Sequence, residues 1–198
     1  MPVNRILRDI AADAAAEPES DEALMLRLQG GDETAFNELL DRHLKPVAGF
    51  AYRMLGDAAE AYDVAQETFL RLWRFRAAWQ PRAQLRAWLL RVARNLCVDR
   101  FRRREVVTDR MPEEIDLRIG PSGELQRKEA ATLVGDALAG LPERQRAAIA
   151  LVYYEGHSNT EAAKVLGVSV DALESLLARA RRGMRRHLGS LRPYLVGE

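Results

Sequence analysis

Arginine side chains that could neutralise a phosphate backbone are concentrated between Arg82 and Arg104. This stretch holds eight arginines and one acid, Asp99, although the whole chain has a formal net charge of only +1. Guanidinium groups bind phosphate oxygens through a planar fork of donors. Several of them on one surface give salt-sensitive, sequence-independent affinity for nucleic acid. A solvated basic helix is the plainer alternative, but so one-sided a cluster favours a nucleic-acid surface.

An amide side chain, Asn95, lies within the same arginine-rich stretch. An amide offers both a donor and an acceptor, which suits the exposed edge of an unstacked base. Taken alone, Asn95 is more simply a residue that caps a helix end, and Asp99 more simply pairs with a neighbouring arginine. Apolar residues at helical spacing predict that a helix presents these groups. They are Leu85, Leu89, Val92 and Leu96, with Trp88 beside them.

A helix-turn-helix is predicted near the end of the chain. Ser158 and Glu161 have the spacing of a capping box, and Gly167 opens a turn. Ser169 can then cap a long helix that runs from Val170 to about residue 188. Leu173, Leu177, Ala180, Met184 and Leu188 form its predicted buried face. The opposite face, which a recognition helix places in the major groove, carries Asp171, Ser175, Ala178, Arg179, Arg182 and Arg186.

A third polar surface is predicted on a helix between Glu60 and Arg74. Its acids lie toward the N-terminal end and its bases toward the C-terminal end, which complements the helix dipole, and Glu67 can pair with Arg71. Spacing alone therefore indicates an ordinary solvated face. The buried face is predicted to consist of Ala61, Ala65, Phe69 and Leu72.

Composition and residue types argue against several classes of protein. Hydrophobic residues make up 47% and charged residues 30% of 198, which is typical of a soluble globular chain. The single Cys97 excludes an internal disulfide, and the three histidines lack metal-ligand spacing. We see no nucleophile elbow or phosphate loop. Neither a signal peptide nor a membrane-spanning run is evident. The sequence predicts a cytoplasmic protein that is not an enzyme and needs no metal or cofactor.

Periodicity throughout the chain is helical, so we predict an all-α protein of two small domains joined by a flexible linker. A first helix is expected from Asp21 to Gln29. Asp32 is expected to cap a second helix that ends near Lys45-Pro46, because proline restricts the residue before it. The predicted divisions are an N-terminal tail (1–20), a first domain (21–105), a linker (106–129) and a helix-turn-helix domain (130–198).

Three sequence stretches resemble the bacterial RNA polymerase sigma factors of the extracytoplasmic-function (ECF) group. Residues 60–69 are similar to the family pattern D-A-E-D-(L/V)-x-Q-E-(T/A)-F. Residues 85–99 resemble F-x-x-W-L-(Y/x)-R-(I/V)-A-x-N-x-x-x-D. The third stretch, within residues 141–182, is similar to L-P-E-R-(Q/x)-R followed by S-x-x-E-(I/A)-A-x-x-L-G-(V/I)-S and R-A-R. Together the likeness covers about residues 21–104 and 130–188.

This resemblance implies a protein that directs core RNA polymerase to promoters. The helix of the first stretch would bind the β′ coiled coil through Asp63, Gln66, Glu67 and Arg71. The −10 element would be bound by Trp88, Arg94, Asn95, Arg100 and Arg103, with Asn95 in a short loop that captures a flipped base. The −35 element would be bound by Ser175, Ala178, Arg179, Arg182 and Arg186. The implied partners are the β′ and β subunits of core polymerase, promoter DNA and an anti-sigma factor, with no insertion into membranes.

Departures from the family pattern bear on specificity. Tyr62 stands where an acid usually precedes Asp63, which removes one polar contact. Glu174 and Leu176 stand where many members carry Lys or Arg. A glutamate can accept from cytosine N4 but repels phosphate, so a different promoter sequence is expected. The predicted linker carries acids that could mimic nucleic-acid charge, namely Glu113, Glu114 and Asp116.

Two other classes of protein remain open at this point. A transcription regulator with a LuxR-like helix-turn-helix would explain residues 140–188 but would leave the two earlier motifs as coincidence. Such a regulator binds its duplex site alone, whereas a sigma factor generally needs core polymerase. A pure interaction protein, held by an inhibitory partner, is compatible with the sigma-factor interpretation.

Overall fold

All regular secondary structure in the described residues is helical. The computed structural model describes residues 19–80, 84–107 and 132–190, and the side chains of residues 104–107 and 190 lie outside that description. In chain order the helices are α1 (Asp21–Gln29), α2 (Glu33–Leu55), α3 (Ala58–Phe75), α4 (Leu85–Val107), α5 (132–139), α6 (Glu143–Ile149), α7 (Asn159–Leu166) and α8 (Val170–Ser190). A 3-10 turn (Arg76–Ala78) follows α3 and a π-helical turn (Ala150–Tyr154) follows α6. The predicted all-α fold class is confirmed.

Some sequence predictions fall outside the described ranges. These are nearly all of the N-terminal tail, Arg82, and the part of the predicted linker that carries Glu113, Glu114 and Asp116. The proposed charge mimicry by those acids therefore stays a hypothesis.

The first three helices each begin at a side-chain cap. Ser20 accepts from the Ala23 amide at 3.2 Å, and Asp32 accepts from the Thr34 amide at 2.9 Å. Asp57 accepts from the Glu60 amide in the same way, at 2.9 Å. Each cap satisfies one of the amide groups that a helix start leaves without a partner. The predicted start at Asp21 and the predicted capping role of Asp32 are confirmed.

Helix α2 does not end at Pro46, which corrects the predicted boundary. It continues for 23 residues to Leu55 with Pro46 in its interior. Proline removes one intrahelical hydrogen bond, but His43 and Val47 on either side of it are buried. Their packing holds the helix in place. Gly56, at φ +74°, then ends α2 in the left-handed conformation that glycine adopts freely.

The first module is built around α2, which packs against α1, α3 and α4. Phe50 and Leu39 of α2 are fully buried, as is Leu72 of α3. The predicted buried face of α3 is confirmed, since Ala61, Ala65, Phe69 and Leu72 are at most 3% exposed. Truncation of one such large side chain to alanine typically costs about 2–5 kcal/mol.

The second module is the predicted helix-turn-helix with two preceding helices. α6 and α7 both pack against α8. The α8 residues Leu173, Leu177 and Ala180 are buried. Gly183 lets α8 approach the turn before α6 closely, because a Cβ there would lie 2.6 Å from Leu141 Cδ2.

The two modules pack against each other, a feature that the sequence did not indicate. α2 contacts α6 and the π-helical turn, and α4 contacts α7. Arg146 of α6 lies at the centre of this interface and is only 9% exposed. It donates to the Met54 carbonyl of α2 and, at 3.1 Å, to the Leu141 carbonyl. Its guanidinium carbon lies 5.3 Å from the centre of the Phe101 ring in α4.

Candidate nucleic-acid and polymerase interfaces

The first candidate surface is an exposed stripe on α3. Asp63 and Gln66 are exposed, and Glu67 accepts from Arg71 Nε at 2.8 Å. That hydrogen bond lowers the pKa of the Glu67 carboxyl below its ordinary value. The stripe therefore presents polar groups on an accessible face of α3.

Two large apolar side chains accompany this stripe, although their positions in the sequence did not indicate a surface. Tyr62 is 61% exposed and Leu70 is 50% exposed, both on α3. Large apolar side chains grouped on an exposed surface favour an interaction site over an ordinary solvated face. The family pattern identifies Tyr62 only as the replacement of an acid. The signal available in the sequence was the position of Leu70 on the polar side of the helical pattern.

The second candidate surface is α4, and here the position of Asn95 differs from the expected one. Asn95 lies in the interior of a 23-residue helix, neither in a short loop nor at a helix end. The helix continues past Asn95 because Leu96 and Cys97 are buried and anchor the next turn. The Asn95 side chain is exposed, and its amide oxygen accepts from Arg94 Nη1 at 3.3 Å. The NH2 group of the Asn95 amide is therefore a donor available on the surface of the helix.

Trp88 on α4 forms an aromatic pair with Phe75 at the end of α3. The two rings are stacked, with centroids 5.3 Å apart and planes 11° apart. Trp88 is half-buried and Phe75 is 39% exposed. The pair fixes the Trp88 ring beside the arginine face of α4. Of the other predicted residues there, Arg100 is half-buried and Arg103 is exposed.

The third candidate surface is α8. The predicted capping box is present, with Ser158 accepting from the Glu161 amide at 3.3 Å and donating its own amide to Glu161 at 2.9 Å. Gly167, at φ +66°, makes the turn between α7 and α8. Ser169 accepts from the Ala172 amide at 3.1 Å and so caps α8. These local contacts set the angle at which α8 leaves α7.

The outer face of α8 is accessible along its length. Ser175, Arg179, Arg182 and Arg186 are exposed, and Ala178 is half-buried. Glu174 is also exposed, with Asn159 Nδ2 of α7 3.4 Å from its carboxylate. The structure therefore keeps the five predicted residues on one accessible helix.

The three surfaces differ in whether the second module covers them. The α3 stripe and the outer face of α8 are open, whereas three α4 arginines bind the second module. Arg86 donates to the Glu155 carbonyl at 2.5 Å, Arg91 to the Lys164 carbonyl at 2.5 Å, and Arg94 to the Glu143 carboxylate at 3.1 Å. Sequence reasoning missed Glu155, which is only 6% exposed. Its partners are distant in sequence, so no local pattern signals it.

Residues 19–80, 84–107 and 132–190 contain no cluster of three or more His, Cys, Asp or Glu side chains that could hold a metal ion. Within the same ranges, no helix is both long and apolar enough to cross a membrane.

Comparison with known proteins assigns both modules to one family. Residues 39–106 match the family model of sigma-70 region 2, and residues 131–184 match that of sigma-70 region 4. The ECF RNA polymerase sigma factor SigL of Mycobacterium tuberculosis is 35% identical over 178 residues, which cover 84% of this chain and 98% of SigL. The chain belongs to the ECF group of sigma factors. ECF sigma factor SigW of Bacillus subtilis is 26% identical over 83% of the chain and 95% of SigW.

Solved structures with a similar fold include proteins bound to partner proteins. CnrH in complex with the cytosolic domain of CnrY matches with a TM-score of 0.66 and 30% identity, over 87% of this chain and 99% of that one. The sigma factor RpoE of Bartonella quintana, in complex with the anti-sigma factor NepR, matches with a TM-score of 0.63 and 25% identity, over 78% of this chain and 96% of that one. As an ECF sigma factor, this chain is a transcription initiation factor that acts with RNA polymerase.

Proposed function

We propose that this ECF sigma factor binds core polymerase through the α3 stripe, the −10 element through α4, and the −35 element through the outer face of α8. The observation that carries the proposal is the exposed stripe of Asp63, Gln66 and Glu67, flanked by Tyr62 and Leu70. A duplex-binding regulator would have no use for such a surface on its other module. The family membership of both modules supports the same assignment.

The residue roles follow from position and chemistry. Asp63, Gln66, Glu67 and Arg71 bind the β′ subunit. Trp88, Arg94, Asn95, Arg100 and Arg103 bind the −10 element, with Asn95 hydrogen-bonding a base from the surface of the helix. Ser175 and Ala178 contact bases of the −35 element, while Arg179, Arg182 and Arg186 bind its phosphates. The proposed domain divisions remain residues 21–105 and 130–198, joined by the linker.

We further propose that the chain acts in the cytoplasm, has no catalytic activity of its own, and is controlled by an anti-sigma factor. The similarity to RpoE in its complex with NepR supports such a partner. Aromatic side chains of the second module offer such a partner a docking surface, since Tyr153 is 55% and Tyr154 is 44% exposed.

Promoter binding with and without core polymerase tests this function. A labelled duplex pool of promoter-like sequences is mixed with the full chain, with core polymerase, or with both, and bound sequences are recovered. Enrichment of two spaced elements only when both proteins are present supports a sigma factor. Enrichment of a single element by the chain alone would instead support an independent helix-turn-helix regulator.

A further inference from the structure

Helix α8 carries an acid, Glu174, beside the arginines that are proposed to bind phosphate. Glu174 is exposed and lies one turn before Ala178, on the same side of the helix. It belongs to the N-terminal half of α8, and the N-terminal residues of a recognition helix are those that contact base edges. Arg179, Arg182 and Arg186 follow it toward the C-terminal end. Glu174 is therefore placed where a side chain contacts bases rather than phosphates.

The Glu174 side chain is oriented by the preceding helix. Asn159 Nδ2 of α7 lies 3.4 Å from Glu174 Oε1, a contact that crosses the turn of the helix-turn-helix. Asn159 is half-buried and is the first residue of α7, directly after Ser158, whose capping box with Glu161 fixes that end of the helix. A side chain that is already oriented loses less conformational freedom when it binds. A carboxylate has about four acceptor positions, so the contact with Asn159 leaves others for a base.

A carboxylate distinguishes bases in the major groove by the donors that they present. It accepts hydrogen bonds and donates none. Guanine presents the acceptors N7 and O6, and thymine presents the acceptor O4, so both repel a carboxylate. Adenine presents a donor at N6 beside an acceptor at N7, whereas cytosine presents the N4 donor alone. Cytosine is therefore the base that Glu174 favours, in part because the other bases are rejected.

We propose that Glu174, oriented by Asn159, is a specificity-determining residue that selects cytosine at a single base pair of the −35 element. The inference rests on the proposed role of the outer face of α8 in binding that element. Leu176 takes no part in this selection, because it is partly buried and packs against the hydrophobic core. The Glu174 carboxylate also repels phosphate and so lowers affinity for every sequence. Selection of the base is therefore accompanied by weaker binding to DNA in general.

Selection from a promoter library with a randomised −35 region tests the inference. The full chain is mixed with core polymerase, bound duplexes are recovered, and base frequencies are compared between variants. We expect the wild type to enrich cytosine at one position and Glu174→Gln to enrich adenine at the same position, because a glutamine amide pairs with adenine N6 and N7. Asp136→Asn, at an exposed site on α5, is the control for the loss of an acid and should leave every preference unchanged.

Alanine variants separate recognition of the base from the effect of charge. Glu174→Ala should abolish the preference for cytosine over the other bases, which we expect to be about tenfold in the wild type. The same variant should tighten binding to a duplex that lacks promoter elements, because it removes a repulsive charge. Asn159→Ala removes only the orienting contact, so it should weaken the preference and keep cytosine as the favoured base. Fluorescence anisotropy of labelled duplexes gives the Kd values.

The contrary results are distinct. Equal tightening at every sequence in Glu174→Ala, with the preferred bases unchanged, would show that Glu174 acts through charge alone and would overturn the inference. An unchanged preference in Asn159→Ala would overturn the orienting role of Asn159. If the wild-type complex enriched no −35 element at all, the proposed function of α8 would fall together with this inference. A −35 element that does not respond to either Glu174 variant would overturn the specificity role alone.

Discussion

Asp21 Oδ2 and His43 Nε2 lie 2.6 Å apart and join α1 to α2. Arg42 also approaches the same carboxylate, at 3.3 Å. Helix α1 precedes the matched sigma-70 region 2, which begins at residue 39, yet it contributes the buried residues Leu24, Met25 and Leu28. The first module therefore begins structurally before the family match.

Asp21→Asn should lower the free energy of unfolding by about 1–3 kcal/mol, because it leaves the buried His43 without its carboxylate partner. The hydrogen bond from His43 is the main cause of the lowered pKa of Asp21. A lowered pKa stabilises the fold above the ordinary value of 3.8, and this contribution is lost as pH falls through the lowered value. Urea denaturation at pH 7 measures the loss, with the exposed Asp41→Asn as control. Equal stability of the two variants would contradict the account.

Asp63→Lys should weaken binding to core polymerase by at least about tenfold, since a charge reversal at an interface affects both attraction and register. Stability should change little, because Asp63 is exposed. The measurement is the Kd for core polymerase from fluorescence anisotropy of the labelled chain. Asp41→Lys makes the same change at an exposed site of α2 and should have no effect. If both reversals weakened binding equally, overall charge rather than the stripe would be responsible.

Arg179→Ala should weaken promoter binding by the complex with core polymerase at every sequence to a similar extent. A lost phosphate contact removes sequence-independent affinity and lowers the slope of log K against log salt by about 1. Arg144→Ala, at an exposed site in the first turn of α6, is the control. A change confined to particular bases, with an unchanged salt slope, would instead show that Arg179 reads sequence.

Cys97 should resist thiol reagents in the native protein. Burial is the main cause that raises its pKa to about 12, and the side chain is fully inaccessible. Because the unfolded thiol ionises at a lower pH, stability should be complete below the unfolded pKa and should fall as the pH rises above it. The resistance of the thiol is measured as the rate of labelling by a disulfide reagent at pH 8, with and without urea. Rapid native labelling would show that the core around α4 opens readily.

Helix caps and the buried face of α3 were predictable from the sequence. The capping box of Ser158 and Glu161 and the caps at Asp32 and Ser169 involve residues at most three apart, so their spacing is sufficient. The buried face of α3 followed from its period. The end of α2 was predicted wrongly at Pro46, because the packing of His43 and Val47 outweighs the loss of one backbone hydrogen bond.

Long-range contacts were not predictable in this way. Arg86 and Glu155 are 69 positions apart, and Arg146 and Met54 are 92 apart. Neither pair leaves a periodic pattern, because no regular spacing along the chain relates its two partners. The position of Asn95 inside α4 agrees with the apolar spacing that includes Leu96, whereas the loop was expected only from the family resemblance. The roles assigned to individual DNA-binding residues remain predictions.

Run-off transcription by purified core polymerase on a promoter selected with the wild-type chain tests the central claim most directly. We expect initiation that depends on the chain and on both promoter elements. Asn95→Ala should reduce initiation, and the loss should disappear on a template whose −10 region is already single-stranded and substituted at the base that Asn95 contacts. Absence of any chain-dependent initiation, with the chain unable to bind core polymerase, would contradict the account and leave α3 as a solvated helix face.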